Sequence, residues 1–380
     1  MKFRLGIENL IEEFTHRLRW QRVAILSHQA AVTTGGATSA QALRAAIGEK
    51  LVALFGPEHG FFGFLGAGEL TGSSLHEEWQ IPIHSLYGQS RKPTPEMLEG
   101  IDVIIVDFQD LGARCYTYLA TLRRTLEAAA EADIAVMVAD RPIPTANIVD
   151  GPPLEPDWRS FVADAPLPMA YGMTPGETAL WLQDQLGLNL SLRVVPCRGW
   201  LRPDPPPAVL PEWLPPSPGI RTIESARCYL ATVFTEALPQ VDCGRGTNLA
   251  FRLLGAPWLD AAAFGAALND EKLPGVHFYP HRYRPGHDDS QVLDGLRIAV
   301  TDPVLFKPVA TSVAILSHLP QFFLQGNIWE APATRPEFFD QLYGGPATRL
   351  ALQAGTDWRE IVAAWQPSLD AWQATRQRLY

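Results

Sequence analysis

The sequence predicts an α/β fold, a doubly wound parallel sheet followed by a smaller α+β domain. Three observations carry this. Short runs with no polar member, such as Leu51-Val52-Ala53-Leu54-Phe55, have the length and composition of strands buried on both faces. They alternate with stretches of helical periodicity, the pattern of parallel strands joined by crossover helices. Residues 203–218, half of them proline, then break the alternation, and a different mixture of elements follows. The domain boundary is therefore expected near residue 215. Residues 1–215 would form the sheet domain and residues 216–380 a smaller one.

Taken in order, residues 5–19 place Leu10, Ile11, Phe14 and Leu18 on one face of an amphipathic helix. Residues 23–28 form the first strand, and a helix begins near Thr38 or Ser39. Residues 51–55 are the second strand, stopped by Gly56-Pro57. A glycine-rich excursion over residues 60–72 is long for a connection, as binding loops are. Strands follow at 81–87, 102–107, 134–139 and 190–195, with a helix over 115–132. Thr174-Pro175-Gly176-Glu177 opens another helix with an N-cap, a proline at the first position and an acid in the first turn. Beyond residue 215 the pattern predicts strands near 249–254, 276–280 and 294–301. Helices are expected near 224–236, 260–269, 308–320, 335–343 and 358–377.

Composition narrows the function. With 47% hydrophobic and 19% charged residues in 380, the chain is ordinary globular protein. A formal net charge of −10 with no basic block argues against nucleic acid and anionic membranes as partners. Cys115, Cys197, Cys228 and Cys243 are far apart and form no Cys-x-x-Cys, so reduced thiols are expected. The amino terminus lacks an apolar targeting core, and no run approaches the roughly 20 apolar residues of a membrane span. A cytoplasmic protein is the expectation.

Three strand ends carry ionisable groups: Glu58-His59 after the second, Asp107 and Asp110 after the fourth, and Asp140-Arg141 after the fifth. A parallel sheet presents these ends on one edge, where ligands bind in open α/β sheets. Each alone serves equally as a turn former or helix cap. Neither Gly-x-Gly-x-x-Gly nor a phosphate-binding Gly-x-x-x-x-Gly-Lys motif follows the first strand, and no cofactor is expected. His277 and His281 have metal-ligand spacing for a helix, but Pro280 favours a strand or loop. No metal site is assigned, although dispersed carboxylates leave a metal-dependent hydrolase as an alternative. There is no Gly-x-Ser-x-Gly elbow. Cys243-Gly-Arg-Gly-Thr-Asn248 reads as a loop approaching a ligand, with Arg245 able to grip a carboxylate in two places.

Carboxylate acid–base chemistry remains. Glycoside hydrolysis needs a protonated acid near the leaving oxygen and a second group as base or nucleophile. Glu58, at the end of a buried strand, is placed for desolvation to raise its pKa. Its candidate partners are Glu69, Asp107, Asp110 and Glu236. Tyr116 and Tyr118 would supply hydroxyls or a sugar-stacking face, or simply pack beneath their helix.

These residues also sit in an ordered set of motifs. It comprises Phe55-Gly-Pro-Glu-His-Gly60, Ala67-Gly-Glu69, Ser85-Leu-Tyr-Gly88, Lys92-Pro-Thr-Pro95, Asp107-Phe-Gln-Asp-Leu-Gly-Ala-Arg114 and Tyr116-Thr-Tyr118. Asp140-Arg-Pro142, Gly172-Met-Thr174, Gly244-Arg-Gly-Thr247 and Gly255-Ala-Pro-Trp258 continue it. From about residue 20 to the end, the chain resembles the exo-β-N-acetylmuramidase family called NamZ. The resemblance implies a Rossmann-like first domain, residues 1–215, carrying the catalytic motifs, and a smaller second one, residues 216–380, closing a cleft between them. It also implies release of N-acetylmuramic acid from non-reducing ends of peptidoglycan fragments. It makes Glu58 the best candidate for a catalytic carboxylate. The lactyl carboxylate of such a sugar would need a cation, for which Arg141, Arg114 and Arg245 are available. The chain departs from the family pattern at Tyr171, where His is expected, at Ile143 and Gly219, each in place of Asn, and at Ala237-Leu-Pro239, in place of Gly-Thr-Asn. Several of these positions are expected to line the cleft.

The expected site therefore has Glu58 as general acid with His59 and Asp110. Glu69, Asp107, Gln109, Arg114, Tyr116, Tyr118, Asp140, Arg141, Glu236 and Arg245 are expected to bind a carbohydrate. A sugar-binding protein without catalysis is the alternative from another class.

Overall fold

The computed structural model describes residues 3–200, 213–286, 288 and 290–378. Its first half contains α1 (Gly6–Leu18), β1 (Val23–Ser27), α2 (Ser39–Ile47), β2 (Leu51–Gly56), β3 (Ser74–Leu75) and β4 (Pro82–Ser85). Then come α3 (Pro95–Leu98), β5 (Val103–Asp107), α4 (Tyr118–Glu131), β6 (Ala135–Ala139), α5 (Pro175–Leu186) and β7 (Leu192–Val195). The strands make one seven-stranded sheet in the order β3-β4-β2-β1-β5-β6-β7. Every pairing is parallel except that of the two-residue edge strand β3 with β4. Leaving β3 aside, the chain steps outward from β1 through β2 to β4, then returns to the other side for β5, β6 and β7. That is the order of a doubly wound sheet.

Strand alternation sorts the core into two layers. Val23, Ile25, Leu54, Val103 and Ile105 pack with Leu10 of α1 and Leu43 of α2. Ala24, Leu26, Phe55, Ile104 and Val106 pack with Leu122 and Leu126 of α4 and Leu182 of α5. Each buried Leu, Ile or Val contributes about 1.5–3 kcal/mol. Both faces being covered explains why these strands have no polar alternation in the sequence.

The second half contains α6 (Ile223–Thr232), β8 (Leu253–Ala256), α7 (Ala261–Asp270), β9 (Val276–Tyr283), β10 (Leu293–Val300) and α8 (Pro308–His318). It closes with α9 (Pro336–Tyr343), α10 (Ala347–Gln353), α11 (Trp358–Ala363) and α12 (Gln366–Gln377). Its three-stranded antiparallel sheet has the order β8-β10-β9. The single helix expected over 358–377 is two, because Pro367 sits in the first turn of α12 and cannot continue α11. The strand expected at 249–254 runs instead over 253–256, since residues 244–252 are used by turns. β3 and α10 were not expected: two exposed residues, and a seven-residue helix behind a Gly-Gly-Pro turn, carry little periodic signal. His277 and His281 lie on β9, not a helix.

Most of the proline-rich tract, residues 201–212, lies outside the described residues. On either side of it the halves are joined by packing. The same apolar cluster that covers one sheet face continues into α6, α8 and α12. Trp372 of α12 meets Trp181 of α5 edge to face at 5.3 Å, and its indole N–H donates to the Tyr171 carbonyl at 3.0 Å. Among the described residues no helix is long and apolar enough to cross a membrane.

Candidate active site

β2 ends in Gly56 because the chain must double back there: a Cβ would come within 2.5 Å of the Phe61 backbone nitrogen. Pro57 then ends the strand, and His59 takes the left-handed conformation at φ 72°, uncommon for a residue with a Cβ. The tight turn brings Glu58 to the lip of the sheet, 8% exposed. Its Oε1 accepts the Gly68 backbone N–H at 2.8 Å, and its Oε2 accepts the Thr117 hydroxyl at 2.6 Å. His59 Nδ1 lies 2.9 Å from the Leu65 carbonyl; since a carbonyl only accepts, Nδ1 bears a hydrogen and donates to it.

Glu58 and His59 line a cleft of about 1010 Å³ between the two halves of the chain. The first half contributes Gly68, Tyr87, Arg91, Tyr116, Thr117 and Ser160 to Val162. The second contributes Pro218, Gly219, Tyr229, Glu236, Pro239, Asp242, Arg245 and Arg335. Glu236 ends the short 3₁₀ turn that extends α6, and Arg245 donates to its carboxylate. Burial and the charge of Glu58 push the Glu236 carboxyl up, while Arg245 and Arg335 pull it back. Two carboxylates therefore share this space and feel each other. Among the described residues no group of three His, Cys, Asp or Glu side chains is arranged to hold a metal ion.

Of the residues expected from the sequence, the structure brings Glu58, His59, Tyr116, Glu236 and Arg245 to the cleft wall. Apart from the exposed Glu69, the others stand behind it, and most of their polar groups are already used, Arg114 Nε being one without a partner among the described residues. Asp107 and Arg141 form a buried ion pair with Ser39: the Ser39 hydroxyl donates to Asp107 at 2.5 Å, and Arg141 Nη2 reaches Asp107 at 3.0 Å. Arg114 is 1% exposed and is spent on the carbonyls of Pro152, Leu167 and Leu342. Asp140 anchors the start of α5 by accepting from Gly176 N–H and Thr174 Oγ1, each at 2.8 Å. Gln109 bonds its side chain to the Pro142 carbonyl, and its backbone N–H donates to His28 Nε2 at 2.9 Å. Burial holds that His28 ring far below its ordinary pKa, at about 3, so it stays neutral. Tyr118 donates to the Pro216 carbonyl at 2.8 Å, tying α4 to the start of the second half. Glu69 is exposed and shapes the loop, accepting from Gly66 N–H at 2.9 Å beside the Gly68 N–H that reaches Glu58.

Asp110 is 2% exposed, also behind the wall, with its Oδ2 accepting the Tyr171 hydroxyl at 2.9 Å. Tyr171 and Ile143 are thus part of the core and not of the cleft, whereas Gly219 and Pro239 do line it. Burial pushes the Asp110 carboxyl up to about 6 and that of Asp140 up to about 7. The unfolded value is about 3.9. Between the two values the folded chain holds protons that the unfolded chain has released. The stabilisation is present below that window and lost as pH rises through it. Denaturant midpoints are accordingly expected to fall from about pH 4 towards pH 7, with a shallower fall in Asp110→Asn. An identical slope in the variant would show that this carboxyl does not hold the proton.

Sequence reasoning missed Thr117, Gly68, Tyr87, Arg91 and Ser160. Thr117 and Tyr87 lie inside motifs already picked out, Tyr116-Thr-Tyr118 and Ser85-Leu-Tyr-Gly88. α4 begins at Tyr118 and not near Cys115, and that later start leaves Thr117 facing Glu58.

Comparison with known proteins agrees with this architecture. Residues 23–224 match the family model described as Exo-beta-N-acetylmuramidase NamZ, N-terminal, and residues 227–380 match its C-terminal counterpart. The chain is 35% identical over 381 aligned residues to the peptidoglycan beta-N-acetylmuramidase NamZ of Bacillus subtilis (strain 168), covering 99% of this chain and 91% of that protein. Two crystal structures of DUF1343 family proteins from Bacteroides fragilis NCTC 9343 superpose on it. The first has a TM-score of 0.92 at 30% identity, covering 100% of this chain and 99% of that one. The second has a TM-score of 0.80 at 26% identity, covering 100% and 98%. On matches that span both halves, the chain belongs to the exo-β-N-acetylmuramidase NamZ family.

Proposed function

We propose that this protein is an exo-acting glycosidase that removes N-acetylmuramic acid from the non-reducing ends of peptidoglycan fragments. The observation that carries the reading is the pairing of Glu58 with Glu236 across one cleft in a chain of this family. Glu58 is the proton donor to the departing sugar oxygen. The Thr117 hydroxyl, which donates to the carboxylate, can rotate to accept from the carboxylic acid, so the side chain keeps its place in both states. Glu236, paired with Arg245, is the second carboxyl group that the reaction needs. His59 Nε2 and the Tyr116 ring complete the sugar-facing wall. Asp107, Gln109, Asp110, Arg114, Asp140 and Arg141 act by holding the strand ends in place.

A cytoplasmic setting, in which wall fragments are recycled, belongs to the same reading and is supported by four free cysteines, three of them buried. The division of labour between residues 1–215 and 216–380 belongs to the same reading and is supported by the cleft drawing on both. Incubation with a chromogenic N-acetylmuramide and with muropeptide fragments tests the function. Release of N-acetylmuramic acid from the non-reducing end, undiminished by chelator, is expected. Binding without turnover would identify a sugar-binding protein, and loss with chelator a metal-dependent hydrolase.

A further inference from the structure

The three cations expected to meet a sugar's carboxylate are all engaged. Arg141 is paired with Asp107, Arg114 is enclosed by backbone carbonyls, and Arg245 is paired with Glu236. Two others on the cleft wall are also in use. Arg335 donates to the Glu236 carbonyl, and Arg221 donates to Asn248 Oδ1 at 3.2 Å. Arg91 differs. It lines the cleft, and among the described residues it has no hydrogen bond and no carboxylate partner. Its guanidinium carbon lies 5.0 Å from the Tyr87 ring centroid and 4.5 Å from that of Phe161. Arg124 meets the same Phe161 ring at 4.8 Å, but its charge is answered by Asp164 at 2.9 Å. So one aromatic pair holds two arginines, one neutralised and one left facing the cleft.

A second observation falls on the same wall. The Ser160 hydroxyl, next to Phe161 in sequence, is buried with no hydrogen-bond partner among the described residues. Buried hydroxyls without partners are uncommon and call for an explanation. An uncompensated guanidinium and an unused hydroxyl together offer the donors that a carboxylate takes. Their placement relative to Glu58 fits as well. The Tyr87 phenol is near enough to Glu58 to feel its charge, so a single ring separates the acid's surroundings from the guanidinium. In a muramoyl sugar the lactyl group on O3 likewise stands within one pyranose of the scissile bond, two ring carbons from C1.

We propose that Arg91, held in place by Tyr87 and Phe161 and assisted by the Ser160 hydroxyl, binds the lactyl carboxylate and so selects muramoyl sugars over their uncharged analogues. This rests on the glycosidase reading above and adds the specificity-determining group to it. Stacking against two rings fixes the guanidinium beforehand, so little side-chain freedom is lost when the carboxylate arrives.

The experiment compares wild type with Arg91→Met, Arg91→Lys and Ser160→Ala on a chromogenic N-acetylmuramide and on the same compound with its lactyl carboxyl amidated. Arg91→Met is expected to lose about 10- to 100-fold in kcat/KM on the free acid, chiefly through KM. On the amide it should stay within about threefold of wild type, because no charged bond is at stake there. Arg91→Lys should recover part of the preference, and Ser160→Ala should weaken it by less. A preference for the free acid that survives in Arg91→Met overturns the proposal, as does an equal loss on both compounds. Calorimetric titration with free N-acetylmuramic acid and with N-acetylglucosamine separates this from failure of the glycosidase reading. If wild type turns over neither compound, that reading fails. Arg91 is still judged by whether Arg91→Met weakens N-acetylmuramic acid binding about tenfold or leaves it unchanged.

Discussion

Glu58→Gln is expected to lose about 10²–10⁴-fold in kcat on a muramoyl disaccharide with a free lactyl carboxyl and far less on a nitrophenyl muramide. The difference follows from the leaving group. A sugar alkoxide is a poor leaving group and needs the proton as the bond breaks, whereas a nitrophenolate departs nearly unaided. The substitution keeps the local structure intact, since the Gln carbonyl can still accept from Gly68 N–H and its amide can donate to Thr117 Oγ1. Glu236→Gln is expected to fall on both compounds alike, because the second carboxylate acts on the sugar and not on the leaving group. Rates measured on the two compounds decide the matter. Equal losses for Glu58→Gln would assign it the other role, and no loss would remove it from the chemistry.

The second large effect is on stability. Arg141→Met is expected to destabilise the fold by about 3–5 kcal/mol, although Arg141 does not line the cleft. Asp107 is 1% exposed at the end of β5 and Arg141 is 2% exposed just after β6. Removing the guanidinium leaves a carboxylate with only the Ser39 hydroxyl, in a place water does not reach. Arg141→Met with Asp107→Leu should recover part of the loss, since two apolar side chains leave no unpaired charge. Denaturant titration of the single and double variants measures this directly. A single variant with the wild-type midpoint would mean that the pair adds nothing. The folded fraction of Arg141→Met should keep the wild-type preference between sugars, which a residue touching substrate would not.

These two residues mark where sequence reasoning succeeded and where it did not. Glu58 was legible because its surroundings are local: an apolar strand, a Gly-Pro stop and an acid, all within ten residues. Arg141, Asp107 and Asp110 were equally visible as ionisable groups at strand ends. Position at the sheet edge does not say whether a side chain points into the cleft or back among its neighbours. Asp107 and Arg141 satisfy each other across adjacent strands, a contact between residues 34 apart in sequence. Tyr171 shows the same limit. It lies 61 residues from Asp110, and only packing reveals that its hydroxyl meets a buried acid instead of a ligand.

The sequence by itself determined the sheet and its two covered faces, the acid at its lip, and the family. Each of these is written in short-range patterns: runs of apolar residues with period two or 3.6, turn residues that stop them, and ordered motifs. Tertiary structure alone decided which charges remain available. A guanidinium becomes free or spent according to whether an oxygen acceptor, from a carboxylate, an amide or a backbone carbonyl, stands within hydrogen-bonding distance of it. Five of the cleft-facing or nearby arginines find hydrogen-bonding partners, three of them contributed by segments more than thirty residues away, and Arg91 is left to face the ligand. That outcome depends on how the two halves fold against each other, which no local pattern records.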